Sequence, residues 1–189
     1  MIRTLAFRLL AIAPLFAGTQ AIAQTCPAGN PRVAPDSRYT RAEPVSGQRV
    51  VTDTATGLVW KECAEGQTGP GCGGGTTSIM DWKSALATAR NSTWAGYNDW
   101  RLPNVNELLS LAETGCYSPG INTNYFPNTG NSLYWSSTGF SLADAYQSAG
   151  GSVVPIPKGA QVPVRLVRGG QWLDSFDAVL LFADGFEGN

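Results

Sequence analysis

NDWRLPNVNELLSL, Asn98–Leu111, is the stretch whose reading decides the fold. Asn104 follows Pro103 and can cap a helix, and Glu107 stands three residues later, as a capping box requires. Leu108, Leu111 and Ala112 then form a buried stripe, so the spacing predicts a helix from Asn104 that ends near Gly115, just before Cys116. The loop before it is rich in charge, but its proline, Asn104 and Glu107 read as a helix start. Catalysis by the nearby carboxylates Asp99 and Glu107 is the weaker reading, because capping already accounts for Glu107.

Upstream, TTSIMDWKSALATAR places Trp82, Ala85, Leu86 and Ala89 at helical spacing, with Thr77 or Ser78 as the expected N-cap. Before that, RVVTDTATGLVWKEC reads as a hairpin whose runs, Arg49 to Thr52 and Leu58 to Cys63, flank a turn ending in Gly57. Downstream lie strand-like segments: SLYWSSTGF, AYQSA, SVVPIPK and VPVRLVRGGQW. Pro155 and Pro157 cannot donate ladder hydrogen bonds, which predicts an edge strand there. Residues 24–48, rich in Pro, Ser, Arg and Gly, show no period and read as an extended arm, pinned at Cys26 and otherwise loosely held. The element pattern is that of an α+β domain over 49–172, followed by a strand and tail over 173–189.

Residues 1–23 carry Arg3 and Arg8, an apolar run from Leu9 to Ala17 and the triplet Ala21-Ile22-Ala23. This is the pattern of a secretory signal peptide cut after Ala23, and the run is too short to span a bilayer. The remaining 166 residues carry 11 basic and 14 acidic side chains, a net charge of −3. No basic stripe points to nucleic acid. Cys26, Cys63, Cys72 and Cys116 all lie in the exported part, where an even count reads as two disulfides. Sequence alone allows three pairings. The Gly-rich span CAEGQTGPGC makes Cys63–Cys72 the natural local bridge and leaves Cys26–Cys116. A four-cysteine zinc site is disfavoured because no C-x₂₋₄-C knuckle occurs. Lipidation at Cys26 is disfavoured because Gln24-Thr25 is a poor processing site and one of the other thiols would be stranded.

The chain contains no histidine, which removes Ser-His-Asp, Cys-His and the common zinc hydrolase sites. No phosphate-binding glycine motif occurs, and GCGGG at Gly71–Gly75 reads as a flexible loop. The chain is expected to be no enzyme and to need no cofactor. Oxygen donors at Asn98, Asp99, Asn104, Asn106 and Glu107 leave calcium as an option on ligand type alone, with no EF-hand spacing. The tryptophans are Trp60, Trp82, Trp94, Trp100, Trp135 and Trp172. Most of them are expected in the core. Tyr134-Trp135 alternates within a strand, so at most one ring is expected to face the core, leaving the other for recognition at the surface.

VTDTATGLVWKECAEG, DWKSALATA, GYNDWRLPNVNELLSL, CYSPGIN, YWSST and VRLVRGGQ, in this order, resemble the C-terminal domain of the Legionella collagen-like adhesin, the Lcl domain family of exported bacterial proteins. The resemblance covers about Thr52 to Gln171. WRLPN through Glu107 and VRGGQW are more distantly similar to the formylglycine-generating enzyme family, which implies a C-type-lectin-like α+β fold. That enzyme's working cysteines lie beyond its R-G-G-S-W segment, whereas no cysteine follows Trp172 here. Leu102-Pro103-Asn104 and Tyr97-Asn98-Asp99 only partly match the calcium-lectin triplets. The adhesin's association with sulfated glycans would want a basic surface, which a net charge of −3 does not supply. The resemblance implies a secreted, periplasmic or surface-displayed binding module of a Gram-negative bacterium, with a glycan or a cell-surface protein as partner. The alternative is a structural or accessory envelope protein. The ending LFADGFEGN resembles short tails of exported proteins.

Overall fold

The computed structural model describes residues 24–139, 143–147 and 151–169. The expected signal peptide over 1–23, Phe140, Trp172 and the expected strand and tail over 173–189 lie outside these residues. In chain order the elements are β1 (Tyr39–Val45), β2 (Gln48–Asp53), β3 (Val59–Lys61), β4 (Gln67–Thr68), β5 (Gly74–Gly75), β6 (Ile79–Met80), α1 (Trp82–Arg90), α2 (Val105–Ser110), β7 (Leu133–Trp135), β8 (Ala143–Gln147), β9 (Ser152–Ile156), β10 (Val162–Pro163) and β11 (Val167–Arg168). The sheets run in the order β1-β2-β3-β11 and β7-β8-β9, with the two-stranded pairs β10-β6 and β4-β5. All pairings are antiparallel, and the architecture is α+β.

The expected hairpin is β2-β3, in register through Val51↔Trp60 and Thr52↔Val59. Side chains alternate across a strand, and here both faces meet apolar neighbours. Val51, Trp60 and Val167 join Leu108, Leu111, Ile121, Phe126 and Tyr134 on one side. Val50 and Leu166 join Ala85, Ala89, Trp100, Leu102, Trp135 and Val164 in a second cluster. The central sheet therefore separates two cores, α1 serving one and α2 the other. As expected from its prolines, β9 is an edge strand, paired among the described residues with β8 alone.

Three local expectations need correction. The arm is not loosely held. Tyr39–Val45 forms β1 on the sheet edge, and Thr25 bridges Tyr117. Glu113 binds the arm as well: it accepts hydrogen bonds from Arg32 Nε at 2.7 Å and from the Val33 and Ala34 amides at 3.1 Å each. The arm showed no period because β1 buries only its first residue.

The cap of α1 is Asp81, which accepts from the Ser84 amide at 2.8 Å, because Ile79 and Met80 are taken up by pairing with β10. The second helix, α2, starts as read: the Glu107 amide donates to Asn104 Oδ1 and the Asn104 amide to Glu107 Oε2, both at 2.8 Å. It stops at Ser110, well before Gly115, because Ala112 pairs with Ile121 and the Glu113 amide donates to Gly120 O. Both disulfides form as paired from the sequence, Cys26–Cys116 and Cys63–Cys72.

Candidate functional site

The charged loop ahead of α2 spends its charges on ion pairs within the domain. Arg101 donates to Glu107 Oε2 at 2.7 Å and Oε1 at 2.6 Å, and Glu107 is fully buried. Asp99 pairs with Arg168 at 2.7 Å, which holds its carboxyl below the usual range, and the Arg168 guanidinium lies 3.8 Å from the Tyr97 ring centre. Of the five oxygen donors considered for calcium, Asn104 and Glu107 are spent on the cap and Asn98, Asp99 and Asn106 are exposed. Arginines stand where a cation would have to sit, so this cluster is a poor calcium cage. The remaining acid–sulfur grouping among the described residues, Glu62 with Cys63 and Cys72, has its sulfurs joined in a disulfide.

Tyr134 and Trp135 are both buried, at 4% and 0% exposure. The expectation that one of them faces solvent fails because β7 runs between the two cores, so alternation delivers one ring to each. Trp135 Nε1 donates to Met80 O at 2.7 Å and is locked in place. Tyr134 keeps one edge on a surface cleft.

That cleft, about 410 Å³, is lined by Gln67, Thr76, Thr77, Ile79, Asn128, Ser132 and Tyr134, together with glycines and Pro163. One wall is the loop clipped by Cys63–Cys72. The GCGGG stretch, read as flexible, supplies β5, which pairs with β4. Gly66 and Gly75 both have positive φ, and a Cβ at Gly66 would collide with the Thr76 and Ser78 backbone and one at Gly75 with Gly66 O, so only glycine permits this close approach. The opposite wall, residues 128–132, is tied to the loop by Asn128, whose Nδ2 donates to Cys72 O at 2.9 Å and whose carbonyl accepts from Gln67 Nε2 at 3.3 Å.

Behind Tyr134 lies Arg165, completely buried, and burial pushes its pKa down from the usual value. Its guanidinium donates to Lys61 O, Glu62 O and Thr129 Oγ1, and packs against the Phe126 and Tyr134 rings. This buried cation therefore spends its donors on the wall itself. Glu62, paired with Arg41 at 2.6 Å, balances it from the far side.

All the side chains lining the cleft are uncharged. Gln67 is 3% exposed, and its Oε1 has no hydrogen-bond partner among the described residues. An unmet buried acceptor costs about 1–3 kcal/mol, so a donor that reached this amide would recover part of that cost. Nothing in the sequence singles out Gln67, Thr77, Asn128 or Ser132, which are ordinary polar loop residues from separate segments brought together by the fold.

The described residues thus form a doubly cross-linked α+β domain with a polar cleft on its surface. Residues 49–168 match the family model of the Lcl C-terminal domain, and the chain belongs to that family. No curated protein matches the chain significantly.

Proposed function

We propose that this protein is a non-catalytic binding module working in the cell envelope or outside the cell, with a glycan as ligand. The observation that carries the reading is the cleft: uncharged, polar and walled by a loop held covalently at Cys63–Cys72. Two disulfides favour an oxidising compartment, and the resemblance to a bacterial adhesin's terminal domain favours surface binding. No helix among the described residues is long and apolar enough to cross a membrane. A chain without histidine lacks the usual base for nucleophilic chemistry, which supports binding over catalysis. The C-type-lectin-like assignment belongs to the same proposal. It is supported by the resemblance around Trp100–Asn104, by two short helices and by pairing of β3 with the late strand β11.

Glycan-array binding with and without calcium tests this reading. Binding to a defined set of glycans is expected, unchanged by chelation because both carboxylates of the oxygen cluster, Asp99 and Glu107, are paired with arginines. An array with no signal under either condition overturns it.

A further inference from the structure

We infer that the cleft takes an uncharged sugar unit and that Gln67 Oε1 accepts a hydrogen bond from it, an assignment that rests on the glycan-binding reading above. The lining decides the charge. An anionic group such as sulfate needs cationic donors, and no lysine or arginine lines the cleft. The guanidinium of Arg165, packed against Tyr134, is buried and already donates to two carbonyls and Thr129. A cationic ligand meets no carboxylate there either.

The unmet acceptor decides the polarity. Gln67 spends its Nε2 on Asn128 O at 3.3 Å and leaves Oε1 as a pure acceptor, sealed from water in this conformation, so a ligand reaches it by turning the amide toward the opening. A hydroxyl or an acetamido N–H satisfies it, whereas an apolar ligand leaves it bare. The hydroxyls of Thr76, Thr77 and Ser132 add groups that both donate and accept, as a ring of sugar hydroxyls requires. Ile79, 58% exposed, and Pro163 supply apolar surface for the C–H face of a sugar ring. The volume, about 410 Å³, lies at the small end of ligand sites, roughly 300–1,000 Å³.

The test is an amide-resolved NMR titration of the intact disulfide-bonded protein with galactose, mannose, N-acetylglucosamine and a sulfated heparin disaccharide. At least one neutral sugar is expected to saturate shifts centred on Gln67, Thr77 and Ser132, with the sulfated disaccharide leaving those amides unmoved. Gln67→Leu should weaken the neutral sugar by about tenfold, equivalent to one lost hydrogen bond. Thr77→Val provides a second lesion that leaves the Gln67–Asn128 contact untouched, and thermal melting checks that each variant is folded. The proposal is overturned if none of the three neutral sugars moves the cleft, if folded Gln67→Leu and Thr77→Val both bind as the parent does, or if the sulfated disaccharide occupies the cleft. A glycan that binds with shifts elsewhere overturns this assignment alone. Silence toward every glycan, on the array and in the titration, overturns the binding reading with it.

Discussion

Glu107 is sealed from solvent, and its two oxygens take hydrogen bonds from Arg101 and from the Asn104 amide. One carboxylate thus caps α2 and fixes the loop carrying Trp100, whose indole donates to Trp94 O at 2.9 Å. Glu107→Ala removes the carboxylate half of the capping box and takes the buried counter-charge away from Arg101. The expected loss is about 2–4 kcal/mol, read as a lower urea midpoint. Glu107 was legible in the sequence as a cap because the capping box is local, a matter of three-residue spacing. Its pairing with Arg101 was not, because Arg101 reaches it only through a turn whose shape is set by contacts such as Arg101 Nη2 to Gly169 O, across 68 positions.

Elements with strong internal periods or local chemistry were readable: the hairpin β2-β3, the apolar face of α1, the start of α2, the proline-marked edge β9. Those defined by partners far along the chain were not. The strand β1 shows no alternation because it lies on a sheet edge with six of its seven residues exposed, and β4, β5, β6 and β10 are two residues long. The cleft is built from just these short pieces, so its residues carry no sequence signature. The covalent loop that supports it gives a prediction at this scale. Replacing Cys63 and Cys72 together by Ser should cost about 2–3 kcal/mol on loop entropy, whereas the same change at Cys26 and Cys116, which close 90 positions, should cost about 4–5 kcal/mol. Chemical denaturation of the two double variants ranks them. Neutral-sugar binding should suffer in the opposite order, because the smaller loop walls the cleft.

Across the molecule, a set of carboxylates that includes Glu113, Asp36 and Asp99 is held in its charged form by folding. Burial pushes Glu113 upward, but Arg32 and the Val33, Gly115 and Ala34 amides outweigh it and leave the carboxyl below its ordinary 4.5. Hydrogen bonds from Asn122 and Asn124 hold Asp36 below its ordinary 3.8. The unfolded chain binds protons to these groups before the folded one does. Their stabilisation is therefore complete above about pH 4.5 and is lost as pH falls through the folded values. Unfolding midpoints measured at pH 7, 5 and 3 should stay level over the first interval and drop over the second. Glu113→Gln should lower the midpoint at pH 7 and flatten the acid drop. Asp99, half-exposed, contributes little to this effect despite its arginine, since solvent screens the pair.

Cys26–Cys116 also determines how the domain meets a mechanical load. A pull that enters ahead of residue 26 crosses the sulfur–sulfur bond directly to residue 116, so the 90 positions between them are never in the line of tension. β1 cannot be unzipped from the sheet edge by such a pull, and the β4-β5 wall of the cleft is shielded along with it. The slack kept out of reach amounts to about 300 Å of extended chain, at 3.3–3.6 Å per residue. A tethered copy pulled at both ends would therefore yield in the part after residue 116, β11 first, and since the cleft's opposite wall at residues 128–132 lies in that loaded part, the cleft would open from that wall while its disulfide-clipped wall stayed folded.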